Sequence, residues 1–137
     1  VAMVLEEAVE RIYQKFASEW GKTCPVAYEN KAFTVPKEDK PWCRITVRVF
    51  TSEQHNLGGE GNTDYRRVGS IFVQIYTAMN EGTRLSSQLA KKVQDIFEGK
   101  AIATGLQCWN STPRSTGPTE KWVQTSVETE FEYLETK

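Results

Sequence analysis

The sequence predicts an α+β fold: a mostly antiparallel sheet with two amphipathic helices packed on one face. Three observations carry this prediction. Apolar residues recur at three- and four-residue steps in two separate stretches, Val4–Trp20 and Leu85–Phe97. Apolar and polar residues alternate through Trp42–Thr51 and Val68–Thr77. The order is helix, strands, helix, strands, without the regular βα repeat of a parallel sheet. The 137 residues are one domain's worth, read as a single unit over 1–137.

The elements follow in order. Leu5, Val9, Ile12, Phe16 and Trp20 form the stripe of the first helix, with Ala8 and Tyr13 widening it. Glu6, Glu7 and Glu10 fall early, where the helix dipole favours negative charge, and Gly21 supplies the stop. Lys22–Pro41 is a connector holding Pro25, Pro36 and Pro41, with a short strand over Val26–Glu29. In Trp42–Thr51, Cys43, Ile45, Val47 and Val49 share one side, and Arg44, Thr46 and Arg48 the other. A polar, Gly-rich loop, Ser52–Asp64, leads to a second strand, Val68–Thr77, with Ile71, Val73 and Ile75 inward. Together they read as an extended hairpin whose long loop is of the functional or disordered kind.

Gly82 and Thr83 read as a turn and an N-cap for the second helix, whose stripe is Leu85, Leu89, Val93, Ile96 and Phe97. Lys91 and Asp95 are spaced to pair across one turn, and Gly99 ends the helix. Ala101–Thr104 and Leu106–Asn110 are short strands or one strand kinked at Gly105. Ser111–Glu120 reads as a loop and Trp122–Leu134 as the last strand, with Val123, Val127, Phe131 and Tyr133 mainly on one face.

Composition limits the function classes. Seventeen basic residues against eighteen acidic give a net charge of −1, which predicts no general affinity for nucleic acid. A hydrophobic content of 39% fits much polar surface, or a core that neighbours complete. No apolar run is long enough to span a membrane, and no signal peptide is read at the start. Cys24, Cys43 and Cys108 are odd in number and lack CxxC spacing, which favours buried free thiols in a reducing compartment. With one histidine, His55, in a glycine-rich stretch, neither a zinc site nor a Cys/His nucleophile is indicated. No cofactor, metal or catalytic residue is expected.

Four constellations remain. Gly58, Gly59 and Gly61 lack the Gly-Lys-Ser/Thr step into a helix that a phosphate loop needs, and read as a hairpin tip. Glu128, Glu130 and Glu132 lie about 7 Å apart on one strand face. That face is either solvated and balanced by Arg44 and Arg48, or the lining of a channel for a polyanion, which like charge lets slide. Arg44, Arg48, Arg66 and Arg67 are either a nucleic-acid patch or, with neutral net charge, inter-subunit ion pairs. Trp109 and Trp122 flank the 111–120 loop and are placed to pack on one another or to anchor a subunit contact.

With these residues placed, the chain resembles the phage tail terminator family (a lambda tail terminator-like fold). The resemblance runs through the N-terminal helix, "PVAYEN", "PWCRITVRV" and "RRVGSIFVQIYTAMNEG", with Arg67, Gly69, Val73 and Gly82 in an R-x-G-x-x-x-V strand that ends in a glycine turn. It continues through "VQDIF" and the closing strand "EKWVQTSVETEFEY". The stretches 52–64 and 111–120 carry none of it. The resemblance implies a ring-forming, non-enzymatic virion protein. As a homo-hexamer it would cap the tail tube, end polymerisation of the tail tube protein and meet a head-side neck or connector protein. DNA would pass through its lumen without specific binding, and no membrane would be involved. Its place would be the tail–neck junction, after assembly in the host cytoplasm. Alternatives are another neck protein, such as a stopper or adaptor, or a small DNA-binding module. Partner contacts are expected from Arg44, Arg48, Gly58, Gly59, Gly61, Arg66, Arg67 and Arg114, and the lumen from Glu128, Glu130 and Glu132.

Overall fold

Trp122–Thr136 (β6), the last strand in sequence, lies near the centre of the sheet. The computed structural model describes residues 3–29, 31–36, 40–78, 84–119 and 122–137. The other elements are α1 (Leu5–Trp20), β1 (Val26–Tyr28), β2 (Trp42–Gln54), β3 (Asp64–Ala78), α2 (Arg84–Phe97), β4 (Ala101–Ala103) and β5 (Leu106–Thr119). Six strands form one curled sheet in the order β1-β2-β3-β6-β5-β4. Only the β1–β2 pair is parallel. The fold is α+β, as the sequence predicts. Gly82 and Thr83 lie outside the described residues.

Strand alternation sorts the side chains into two faces. Cys43, Ile45, Val47, Ile71, Val73, Ile75, Cys108, Val127 and Phe131 join a single buried cluster. Ala8, Ile12, Phe16 and Trp20 of α1 and Leu89, Ala90, Val93, Ile96 and Phe97 of α2 enter the same cluster. Phe16 is its hinge: its ring lies 5.1 Å from Trp20 and 5.9 Å from Phe97, stacked on both. Losing a ring so buried costs about 3–5 kcal/mol. Leu5 departs from its expected place, being half exposed beside the start of α1. Gly21 (φ 59°) ends α1, and its N–H donates to Ala17 O at 3.1 Å. Lys91 and Asp95 pair at 2.5 Å, as their spacing predicts.

A second apolar cluster occupies one end of the opposite face. Trp42 stacks on Tyr76 at 4.1 Å and on Phe33 at 5.3 Å, and meets Trp122 edge-on at 6.3 Å. Trp122 therefore packs on Trp42 and not on Trp109, which stands partly exposed on β5. Trp122 is paired with Thr119, ten residues along β5 from Trp109, so the two indoles stand toward opposite ends of the strand.

The stretch read as a loop over 111–120 is largely strand, and the loop read over 52–64 is shortened at both ends. Residues 64–67 extend β3 and 52–54 extend β2, because Arg66 and Arg67 find carboxylate partners across the sheet. Residues 111–119 complete β5, despite Pro113 and Pro118. Ser111 directs its N–H to Glu98 Oε2 and its carbonyl to Gln94 Nε2, away from β6. Alternation then turns the nitrogen of Pro113 the same way. Past the break at 115–117, pairing opposite Val123 does so for Pro118. Neither proline removes a bond from the ladder. β4 and β5 are two antiparallel strands turning at Gly105 (φ 84°), not one kinked strand.

Gly69 faces a bulge in β2. Val49 pairs with Gly69 but Thr51 pairs with Val68, so Phe50 is an extra residue. A Cβ on Gly69 would lie 2.0 Å from Arg48 O, a backbone atom that no rotamer change can move. Gly69→Ala is expected to lower stability by about 2–4 kcal/mol, by analogy with other overpacked backbone sites. Urea unfolding checks it, and a loss under 0.5 kcal/mol would show that the bulge yields easily.

All three cysteines are buried and free. Burial pushes the Cys108 thiol up to about 12. Cys43 is also raised, first by its hydrogen bond with Cys24 and then by burial, while the same bond lowers Cys24. The shifts of that pair oppose one another, so Cys108 carries the thiol effect. Burial raises Tyr13, Tyr28 and Tyr133 as well. Below the unfolded thiol range, near pH 8.5, folded and unfolded chains bind the same protons at these sites. Above it the unfolded chain releases protons that the folded one keeps, so stability should fall from about pH 9 towards 12. Urea midpoints under reductant at stepped pH test this, and Cys108→Ala should flatten the decline.

Candidate interaction surfaces

The hairpin of β2 and β3 forms an arm. Its longer strand has 15 residues and spans about 50 Å. Asn56 organises the tip. Its Oδ1 accepts from Asp64 N at 3.0 Å and Gly58 N at 3.3 Å, and its Nδ2 donates to Asp64 Oδ2 at 2.8 Å. Gln54 Nε2 donates to Asn56 O, Thr63 Oγ1 to Gly58 O, and Thr136 Oγ1 to Asp64 Oδ1. Thr63 and Lys137 exchange backbone bonds at 2.9 and 2.8 Å. Gly58 must lack a Cβ, which would fall 2.0 Å from Asn62 O, and Gly61 turns at φ 83°. This bonded loop holds Leu57 94% exposed. A lone apolar residue amid SEQHNLGGEGNTD was the sequence signal for it, and it went unused.

Below the tip, the arginines are already partnered. Arg66 Nη1 meets Glu53 Oε1 at 2.6 Å, and its Nε meets Glu132. Arg67 Nη2 meets Glu135 Oε1 at 3.0 Å, half sheltered. These pairs stitch β2, β3 and β6 together within one chain, so neither arginine is a free cation. The bulge makes the first possible, since one extra residue brings Glu53 to the same face as Arg66.

Glu128, Glu130 and Glu132 do share one face of β6. Their partners are not Arg44 and Arg48, because β3 stands between β2 and β6. Glu128 accepts from Ser70 Oγ at 2.8 Å and lies 4.0 Å from Arg114 Nη1. Glu132 holds Arg66, and Glu130 is exposed.

Arg44 and Arg48 instead line a polar groove of about 490 Å³ between β2 and residues 27–35, with Lys31, Phe33 and Gln74. Arg48 Nη1 pairs with Glu29 Oε1 at 2.7 Å and donates to Val47 O at 3.1 Å. Arg44 lies over Trp42, 5.7 Å from the ring centre. The indole N–H of Trp42 has no acceptor among the described residues. A second, mainly apolar groove of about 630 Å³ runs beside α1, walled by Leu5, Val9, Tyr13, Ala17 and Tyr28 with Glu6, Glu10 and Lys31. Sequence reading missed Tyr28 and Lys31, which border both grooves. Among the described residues, no group of three or more His, Cys, Asp or Glu is placed to hold a metal. His55, exposed at the arm, uses its backbone N–H to bond Asp64 O at 2.7 Å. Among the described residues, no helix is long and apolar enough to cross a membrane.

Comparison with known proteins follows this geometry. The sequence profile of a family described as phage tail terminator protein matches residues 4–131. One solved structure aligns with a TM-score of 0.63 at 17% identity, covering 91% of this chain and 94% of the other, a likeness of fold. No curated protein sequence matches. The chain belongs to the phage tail terminator family. It is accordingly a structural protein of a phage tail and not an enzyme.

The arm tip generates one prediction. Asn56→Ala removes three bonds from an exposed loop and should cost about 1–2 kcal/mol locally without altering the core. Hydrogen exchange at Gly58 and Asp64 should quicken about tenfold, while Ile71 and Val73 keep their protection. Unchanged exchange at Gly58 would show that the tip is ordered by other means.

Proposed function

We propose that this member of the phage tail terminator family is the repeating subunit of a homo-hexameric ring. The ring caps the finished tail tube, stops addition of tail tube protein and presents its other side to a head-side neck protein. The observation that carries this reading is the family match across residues 4–131. The mechanism is surface complementarity. A head-to-tail contact that closes on itself leaves no free end for growth. One ring face then copies the next layer of the tube without offering a new site.

The geometry is compatible with that role. Both helices sit over the sheet face that holds the main core, leaving the opposite face, the arm and the sheet edges for neighbours. The arm tip, with Gly58, Gly59 and Gly61, is stiff enough to act as a contact element. In this reading Arg44, Arg48 and Arg114 join it, while Arg66 and Arg67 hold the arm in shape. Glu128, Glu130 and Glu132 line the lumen, where like charge keeps passing DNA from sticking. The location is the tail–neck junction of the virion.

Light scattering of the purified chain, alone and with its tail tube protein, tests the ring. The expected result is a closed species of about six times 15.6 kDa, in one or both conditions. Electron microscopy of that species should place Glu130 on the inner wall. A chain that stays monomeric in both conditions overturns the ring, and a Glu130 on the outer rim overturns the lumen assignment.

A further inference from the structure

Two of the three cysteines stand side by side. Cys24 comes just before β1, and Cys43 is near the start of β2. The two strands join at this point: Cys43 N donates to Pro25 O at 3.0 Å, and Val26 pairs with Cys43. Both side chains belong to the main core cluster, and the Cys43 thiol hydrogen-bonds to the Cys24 sulphur. The indole N–H of Trp20 donates to Cys24 O at 3.2 Å and holds that residue from the helix side. Cys43 is wholly buried, whereas Cys24 keeps 7% of its surface. Cys108 lies on β5, with β3 and β6 between it and β2, too far away to join them.

The two thiols are chemically unequal. Lys92 Nζ lies 5.6 Å from the centre of the Trp20 ring and donates to Thr23 Oγ1, next to Cys24. The hydrogen bond from Cys43 lowers Cys24 and outweighs its burial, and Trp20 and Lys92 add to the lowering. The same bond, and then burial, keep the proton on Cys43. A slightly exposed, acidified sulphur beside a sheltered thiol has the makings of an attacking and a resolving cysteine. From this juxtaposition we infer that Cys24 and Cys43 are a dithiol site that hydrogen peroxide closes to an intramolecular disulfide. The Cys24 thiolate attacks one peroxide oxygen. The O–O bond breaks, a sulfenic acid forms on Cys24, and the departing hydroxide takes up a proton. The Cys43 sulphur then attacks Cys24 Sγ, the S–O bond breaks, and the Cys43 proton leaves with that oxygen as water. Two thiols are oxidised, and one peroxide is reduced to two waters. The new bond closes the connector between β1 and β2 into a loop of about 20 residues. That connector carries Ala27, Tyr28, Glu29, Lys31, Phe33 and Val35, one wall of the polar groove, so oxidation fastens the wall to β2. A reducing cytoplasm leaves the pair open, and an oxidant outside the cell closes it. The inference does not depend on the capping reading.

The test treats the full wild-type chain with a small excess of hydrogen peroxide, then quenches and digests it without reductant. The chain should lose about 2 Da, one disulfide's worth of hydrogen. The peptides that hold Cys24 and Cys43 should travel as one species, and Cys108 should still be alkylated after unfolding. Dithiothreitol should reverse the change. The oxidised chain should melt about 5 °C higher than the reduced one. Cys43→Ala removes the resolving thiol, so oxidation should stop at a sulfenic acid on Cys24 that dimedone traps. Cys108→Ala should form the disulfide at the wild-type rate, which separates the pair's chemistry from a general loss of packing. A bond to Cys108 or to a second chain would overturn the inference. So would a wild-type chain that keeps all three thiols or gains oxygen atoms instead, or an oxidised chain that melts no higher than the reduced one. Folded Cys43→Ala without dimedone on Cys24 would overturn it too. If Cys43→Ala does not fold, the wild-type digest decides alone.

Discussion

The unbroken pairing of β3 with β6 is the constraint on which everything else in the molecule depends. Fifteen residues of each strand stay in register, from Asp64 opposite Thr136 to Ala78 opposite Trp122. A slip of one residue in either strand would turn its inward set to the other face. Ile71, Val73 and Ile75 would meet water, while Arg66, Glu128 and Glu132 would meet α2. The pairing therefore fixes the core, the charged face and the arm together. The arm depends on the same register, since Arg66 and Arg67 reach Glu132 and Glu135 only because β6 lies alongside.

Much of this was legible in the sequence. The helical stripes and the alternation at 43–49 and 71–75 name most of the core, and Val127, Phe131 and Tyr133 of the last strand add to it, because burial enforces period. What escaped reading is where tertiary partners overrode local composition. Arg66 and Arg67 read as the entry to a strand, but nothing near them in sequence names Glu53, Glu132 and Glu135 as their partners. STPRSTGP looks like a loop until its prolines fall on an edge, where a missing N–H costs nothing. The glutamate row was visible as a row, but not its partners, because strand order cannot be read from strand content. Leu57 and the wall residues Tyr28 and Lys31 sit in segments with no period at all, so only coordinates could place them.

On the proposed capping role, the surface has to satisfy two opposite demands. It must bind strongly enough to end a polymer, and it must not begin one. Open sheet edges are the usual route to uncontrolled association. In this chain one long edge is closed by proline placement, and the other carries a bulge at Phe50 in the stretch beyond β1. A bulge breaks the regular spacing of the edge groups and so discourages a further strand. The partnered arginines contribute to the same restraint, as they leave little uncompensated charge on the surface.

The sheet order has a further consequence for how the chain is made. β6 is the last strand in sequence yet sits between β3 and β5. While the ribosome is still translating, the arm lacks the strand that holds its arginines, and α2 lacks much of the floor it packs on. Nothing resembling the finished subunit can form until β6 has left the exit tunnel. A product truncated before β6 therefore offers neither a formed arm nor a closed core, and is left to proteolysis, not to assembly. The topology acts as a length check, admitting to the tail only chains whose synthesis has run through β6.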